Sequence, residues 1–296
     1  MKAELIDGKR IAGEVRAEVA AGVEEMKQRL GIVPRLAVVL VGDDPASAIY
    51  VRSKQKAATE AGMVADDHTL PADVTQVELL EQVRQLGEDD SVSGVLVQLP
   101  VPDHIDVDSV IAALNSDKDV DGLHPTNVGL LVQGRARFVP ATPAGIQQML
   151  LRTGNDPSGK HVVVCGRSEI VGKPISLLLM QKAPGANATV TICHSRTADL
   201  GSITRQADIL VAAMGQPGII TAGMVKEGAV VIDVGTNRID APERKRGYRL
   251  VGDVEFDGVS EKASAITPVP GGVGPMTIAM LLQNTLLAAQ QSAAKD

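Results

Sequence analysis

Apolar side chains at Ile11, Val15, Val19 and Val23 recur every four positions, and Met26 and Leu30 extend the stripe. This spacing predicts an amphipathic helix that stops at Gly31. The period then changes. Residues 36–41 are an apolar run of strand length, residues 64–70 a short strand, residues 77–86 a second helical stripe, and residues 94–99 another apolar strand. A helix carrying Tyr50 and Lys54 falls between the first two strands. Strands separated by helices in this way predict βαβ units with a parallel sheet.

A second βα series begins after the segment 117–140. Thr142-Pro143 reads as a helix start, with a capping hydroxyl and Pro at the first helical position. Strands at 161–165, 189–193, 209–213 and 230–234 alternate with helical segments. The last apolar stretch, 276–287, follows a glycine-rich turn and reads as a helix that returns to pack on the first domain, while 288–296 reads as a frayed polar tail. No repeat of fixed period and no low-complexity tract interrupts the pattern. The expected fold is therefore α/β in two domains with a cleft between them. Residues 1–121 form an N-terminal substrate and catalytic domain with a parallel sheet, completed by the C-terminal helix 275–296, and residues 122–270 form a Rossmann-like nucleotide-binding domain.

Composition sharpens this picture. Apolar residues make up 44% of the 296 positions, yet there are only two Phe, two Tyr and no Trp, so the core is aliphatic, as in sheets buried on both faces. The net charge of −7 argues against a broad nucleic-acid surface. No run approaches the roughly 18 apolar residues of a membrane span, and Met1-Lys2-Ala3-Glu4-Leu5 lacks the apolar stretch of a signal peptide, so a cytoplasmic location is expected. Cys165 and Cys193 each end a predicted strand and read as small core residues. The histidines at 68, 104, 124, 161 and 194 lack metal-ligand spacing, so no metal is expected.

Ligands of open α/β sheets bind outside the carboxyl ends of the strands, which directs attention to the residues there. Tyr50 and Lys54 share a helix face at a spacing of four and place an aromatic plane beside an amine. That arrangement suits a flat heterocyclic substrate, although the same pair can simply cover a helix edge. After the strand 161–165 comes Gly166-Arg167-Ser168-Glu169-Ile170-Val171-Gly172, a turn that aims backbone N–H groups at a phosphate, with a spacing unlike G-x-G-x-x-G. At the end of the next strand, where an NAD-selective site carries a carboxylate, stand Ser195 and Arg196, which favour the 2′-phosphate of NADP. Two later strands run into turns with Gly215 and with Gly235-Thr236, where a missing side chain allows a flat cofactor to approach or merely makes the turn tight.

Three further segments are Val97-Gln98-Leu99-Pro100, Asp119-Val120-Asp121-Gly122-Leu123-His124 and Pro268-Val269-Pro270-Gly271-Gly272-Val273-Gly274-Pro275-Met276-Thr277. With Tyr50, Lys54 and the Gly-Arg-Ser turn, they occur in an order that closely resembles the bifunctional methylenetetrahydrofolate dehydrogenase/methenyltetrahydrofolate cyclohydrolase family, from about residue 6 to 287. The resemblance implies NADP-dependent oxidation of 5,10-methylenetetrahydrofolate to the methenyl form and hydrolysis of that product to 10-formyltetrahydrofolate. It also implies a homodimer. It places the pterin-stacking tyrosine on Tyr50, the catalytic lysine on Lys54, the glutamine that bonds the lysine on Gln98, and the pterin-holding carboxylate on Asp121. The turn Pro270, Gly271 and Gly272 falls where pterin and nicotinamide meet, or serves as a rigid hinge. Asp121, in an Asp-Gly pair, reads from its residues alone equally as a turn former.

One departure is visible: Gly87 stands where the family usually carries asparagine, at a helix end remote from the proposed chemistry. Competing readings are a monofunctional two-domain NAD(P) dehydrogenase, such as a shikimate dehydrogenase-like enzyme, and a binding module for folate or NADP without turnover.

Overall fold

The computed structural model describes residues 2–244 and 247–295. The chain opens with β1 (Glu4–Leu5) and α1 (Gly8–Leu30), where Ile11, Val15, Val19, Val23 and Met26 are buried while Leu30, at the end of the stripe, is exposed. There follow β2 (Arg35–Val41), α2 (Pro45–Glu60), β3 (Val64–Leu70), α3 (Gln76–Glu88), β4 (Gly94–Val97), α4 (Val107–Ala113), α5 (Pro125–Val132) and α6 (Ala141–Arg152). The remainder alternates as β5 (His161–Cys165), α7 (Gly172–Leu179), β6 (Thr189–Cys193), α8 (Leu200–Thr204), β7 (Ile209–Ala212) and β8 (Val230–Asp233). It ends with β9 (Asn237–Asp240), β10 (Tyr248–Val251), α9 (Phe256–Ser260), β11 (Ala265–Ile266) and α10 (Val273–Ala293).

Two compact units emerge, one of Gly13–Ala141 with Ile278–Asp296, the other of Met1–Ala12 with Thr142–Thr277. In the first, β2 lies between β3 and β4 in a parallel sheet. Asp119 extends this sheet by a single parallel bridge to Val95. Alternate β2 residues Ala37, Val39 and Val41 pack with Leu79 and Val83 of α3 and with Val95 and Val97 of β4, which gives the sheet its aliphatic core. Helix α3 starts with a reciprocal box in which Thr75 and Glu78 satisfy each other's backbone N–H groups.

In the second unit six strands run parallel in the order β1-β11-β8-β7-β5-β6, and β9 and β10 form a separate antiparallel hairpin. After β5 the chain adds β6 on one side and then crosses to add β7 on the other, so the order reverses between β5 and β7. The carboxyl ends of those two strands are the switch point at which such sheets bind ligands. Both units are α/β, as the alternation predicts.

Several local expectations are corrected. The segment 117–140 contains helix α5, whose buried side chains include Asn127 and Leu131; its eight residues and Gly129 hide the period. Helix α4, the hairpin β9-β10 and the two-residue strands β1 and β11 leave too short a pattern to read. Helix α6 begins at Ala141, and the Thr142 hydroxyl pairs with that of Thr277 at 2.9 Å rather than capping the helix. Strand β4 ends at Val97, so Gln98 and Leu99 lie just beyond it. Of the tail expected to fray, α10 continues through Ala293 with Ala288 and Ala289 buried, and Asp296 lies outside the described residues.

Candidate active site

Helix α2 follows β2 through a turn in which the Asp44 carboxylate accepts from the Ser47 N–H at 2.7 Å and Pro45 occupies the first turn. Its buried apolar side chains among the described residues are Val51, Ala57 and Ala58, and it packs on β2 and β3. Tyr50 and Lys54 lie on one face of this helix at a spacing of four, but their surroundings differ. The Tyr50 side chain is 48% exposed, whereas Lys54 is 9% exposed.

The Lys54 amine is held from across the sheet. Its Nζ donates to Oε1 of Gln98 at 3.0 Å. Gln98 is positioned by its backbone N–H, which donates to Val39 of β2 at 2.8 Å, and by its Nε2, which donates to the Leu99 carbonyl at 2.6 Å. With the amide nitrogen engaged, only the amide oxygen faces the lysine. Burial pushes the Lys54 pKa down from that of a free lysine, and the Asp121 charge opposes this without overcoming it. Burial likewise pushes the Asp121 carboxyl up; nearby Lys54 draws it down, and Asp119 adds to the rise.

The loop after residue 118 separates the two meanings of its aspartates. Asp119 is fully buried, and its carboxylate accepts from the N–H groups of Leu123 and His124 at 3.2 and 2.8 Å and from Nδ2 of Asn127 at 2.8 Å. Asp119 is thus the turn former. The Asp121 carboxylate has no hydrogen-bond partner among the described residues and is available to a ligand. Asn284 of α10 braces the loop by donating to the carbonyls of Val120 and Val139 at 2.8 and 2.9 Å.

In the other unit, Gly166 leaves β5 with φ 134°, and a Cβ there would strike the carbonyl oxygen of Ala213 after β7. Only glycine permits this approach at the switch point. Arg167 and Ser168 are exposed, and the Ser168 Oγ accepts from the N–H groups of Val171 and Gly172 at 3.2 and 3.3 Å, closing the turn into α7. After β6, His194 and Thr197 brace one another: the Thr197 Oγ1 accepts from the His194 N–H, and His194 Nδ1 accepts from the Arg196 N–H. That leaves the Ser195 and Arg196 side chains exposed. No carboxylate stands between them, so the donor set suits a phosphate.

The structure alters the expected part of Gly215 and Gly235. Their N–H groups donate to Asp253 and Asp233, both at distances near a full-strength bond, 2.9 and 3.0 Å. They can therefore meet a cofactor only through Cα and carbonyl atoms. Thr236 is exposed. The turn at Pro270, Gly271 and Gly272 packs on the start of α1, where the Lys9 N–H donates to the Gly271 carbonyl at 3.1 Å and Gly8 lies against the Gly272 carbonyl. Sequence reading missed Asp119, Asp233 and Asp253. The available signal was a carboxylate at the end of an apolar run, Val230-Val231-Ile232-Asp233, and another after Val251-Gly252.

Two family models match the chain. Residues 6–121 match the family described as tetrahydrofolate dehydrogenase/cyclohydrolase, catalytic domain, and residues 140–293 match its NAD(P)-binding domain. A bifunctional protein FolD from Rhodopirellula baltica is 56% identical over 307 residues, covering 100% of both chains. The crystal structure of the bifunctional enzyme FolD from Campylobacter jejuni is similar at a TM-score of 0.92 and 46% identity, covering 98% of this chain and 99% of that one. The Trypanosoma brucei methylenetetrahydrofolate dehydrogenase-cyclohydrolase, complexed with NADP cofactor and an inhibitor, is similar at a TM-score of 0.93 and 41% identity, covering 99% of each chain. With matches to both domains and identity sustained along its whole length, the chain belongs to the tetrahydrofolate dehydrogenase/cyclohydrolase family.

Proposed function

We propose that the chain oxidises 5,10-methylenetetrahydrofolate to 5,10-methenyltetrahydrofolate with NADP and hydrolyses the product to 10-formyltetrahydrofolate, a pair of steps in one-carbon metabolism. The observation that carries the reading is the buried Lys54 amine, held by the Gln98 amide and near the unpartnered Asp121 carboxylate.

The dehydrogenase step requires mainly alignment, because the folate nitrogens stabilise the cation left when hydride departs. NADP, when bound, accepts that hydride. Tyr50 offers a face on which a pterin ring stacks, and Asp121 accepts from adjacent N–H donors on the ring. Arg167, Ser168, Ser195 and Arg196 receive the phosphates, and Gly166, Gly215, Gly235 and Thr236 border the dinucleotide. Pro270, Gly271 and Gly272 border the substrate.

The cyclohydrolase step needs a base. Water must lose a proton as it attacks the methenyl carbon, and a ring nitrogen must gain one as the bridge opens. A lysine whose pKa is lowered by burial can exist as the neutral amine, donate one N–H to Gln98, and direct its lone pair at the water. The ammonium so formed can then return the proton to the ring nitrogen. Gln98 orients the amine without adding a negative charge that would hold it protonated. A dehydrogenase without cyclohydrolase activity, or a module without turnover, would have no use for a desolvated amine held in this way.

The division of labour assigned to residues 1–121 with 275–296, and to residues 122–270, is part of the same reading. So are a cytoplasmic location and a homodimer. No helix among the described residues is long and apolar enough to cross a membrane. The direct test mixes the purified protein with methylenetetrahydrofolate and either dinucleotide, and follows reduced cofactor and methenyl absorbance together. Reduction preferring NADP, with transient rather than accumulating methenyl product, is expected; no reduction with either dinucleotide would end the reading. Light scattering should give twice the 30.9 kDa chain mass.

A further inference from the structure

The second unit contains two buried carboxylates that no step above uses. Asp253 is fully buried, and four donors converge on it. Its Oδ2 accepts from the N–H groups of Met214 and Gly215 at 2.6 and 2.9 Å, and its Oδ1 from the Gln216 N–H and the Asn237 Nδ2, both at 2.9 Å. An ionised carboxylate has about four acceptor sites, and all are filled. Asp233 stands behind it. Its Oδ1 accepts from the N–H groups of Gly235 and Asp253 at 3.0 and 2.9 Å, and its Oδ2 from that of Val254 at 3.0 Å. Its own N–H donates to the Thr267 hydroxyl at 2.7 Å.

These bonds join the segment after β7, the segment after β8 and the residues after β10. Three of the donors to Asp253 are consecutive amides of one loop, so the carboxylate sets the course of that loop rather than one contact. Close packing enforces the arrangement: a Cβ on Gly235 would strike the Asp253 carboxylate, and one on Gly252 the Asp233 carboxylate. No Lys or Arg shares a hydrogen bond with either group among the described residues. Burial pushes Asp233 up to about 6; the three backbone N–H donors oppose the rise, and the Asp253 charge adds to it. Buried carboxyl groups without a counter-ion are costly to keep in a fold, and a turn by itself does not need two of them.

We propose that Asp253, fixed in place by Asp233, is a positioning residue for the dinucleotide: it shapes the Met214–Gln216 and Gly235–Asn237 loops into one platform on which the cofactor lies. This rests on the reading that those loops border NADP. The Asp253→Asn variant keeps an oxygen for two donors and presents an amide N–H to the other two. It should raise the KM for NADP roughly ten- to hundredfold, the loss expected when bonds to a charged acceptor fail. At saturating NADP the kcat of the dehydrogenase should stay within about threefold, and cyclohydrolase activity, which requires no dinucleotide, within about twofold. A purely structural role would lower both activities together and leave the KM for NADP alone, and that outcome would overturn the proposal. If Asp253→Asn does not fold, Asn237→Ala keeps the carboxylate and removes one donor; it should raise the KM for NADP about two- to fivefold, and an unchanged KM counts against the proposal. The underlying reading has its own control, the methyl resonance of 13C-labelled Met214 in the unsubstituted protein. If saturating NADP leaves that resonance unmoved, the loop does not border the cofactor. If it moves while Asp253→Asn retains the original KM, the positioning role alone fails.

Discussion

Lys54 donates to the Oε1 of Gln98 at 3.0 Å, while the Nε2 of the same glutamine is turned away to the carbonyl of Leu99. The amide therefore meets the amine only as an acceptor. A neutral lysine has two N–H groups and one lone pair, so a single bond to Gln98 fixes its rotation and leaves the lone pair free. This is the geometry a base requires, and it depends on the lysine being desolvated enough to lose its proton.

Replacing Lys54 with Met should therefore lower cyclohydrolase turnover by about a hundredfold or more, the scale of a lost acid or base. Folate and NADP should still bind. Because an apolar side chain of similar length no longer carries the burial penalty, unfolding should also move up by a few degrees, roughly what about 1 kcal/mol produces in a chain of this size. Normal hydrolysis of the methenyl compound by the variant would rule out the lysine as base.

Changing Gln98 to Glu places a negative charge on the amine and should favour the ammonium. The rising limb of the cyclohydrolase pH profile, which follows deprotonation of Lys54, is then displaced to higher pH. Asp121→Asn should displace it the other way, since the Asp121 charge raises the Lys54 pKa. Profiles recorded at saturating substrate distinguish the two, and shifts in the same direction would contradict this electrostatic account.

Arg196→Gln should weaken NADP about tenfold or more, the worth of a charge-assisted bond to phosphate. NAD, which lacks the 2′-phosphate, should lose little. Isothermal titration with both dinucleotides checks this, and equal losses would remove the basis for phosphate selectivity.

Asp233 carries a pH-dependent contribution to stability. Its folded pKa of about 6 lies above the roughly 3.9 of an exposed aspartate, so the folded state binds the proton more tightly. The contribution is complete below about pH 4 and is lost as pH rises through about 6, amounting to about 3 kcal/mol at most. Asp233→Asn does not titrate. The stability of the native protein relative to this variant, from urea unfolding, should fall between pH 4 and pH 7; a constant or rising difference would be inconsistent with a buried, proton-retaining Asp233.

Much of this molecule is legible without coordinates. A stripe at Ile11, Val15, Val19 and Val23 can bury itself only as a helix, and runs such as Val162-Val163-Val164 only as strands, because local period dictates which side chains share a face. The spacing of Tyr50 and Lys54, the Gly166 turn and the Ser195-Arg196 turn are likewise short-range features that neighbouring residues alone define. Ambiguity begins where a residue's role depends on partners distant in the chain. Asp119 and Asp121 look alike in Asp-Val-Asp-Gly, and only the packing of Asn127 and the N–H groups of Leu123 and His124 around Asp119 leaves Asp121 open.

Sequence alone determined the order of the longer strands and helices, the aliphatic core and the residue types offered at each strand end, since these follow from periodicity and from the chemistry of single side chains. Tertiary structure decided that Lys54 is desolvated, that the amide oxygen of Gln98, 44 residues later, accepts a hydrogen bond from its amine, and that Asp253 closes on an amide loop 37 to 39 residues before it. Burial and hydrogen-bond partnership are properties of what surrounds a group in space, and no local pattern along a chain records them.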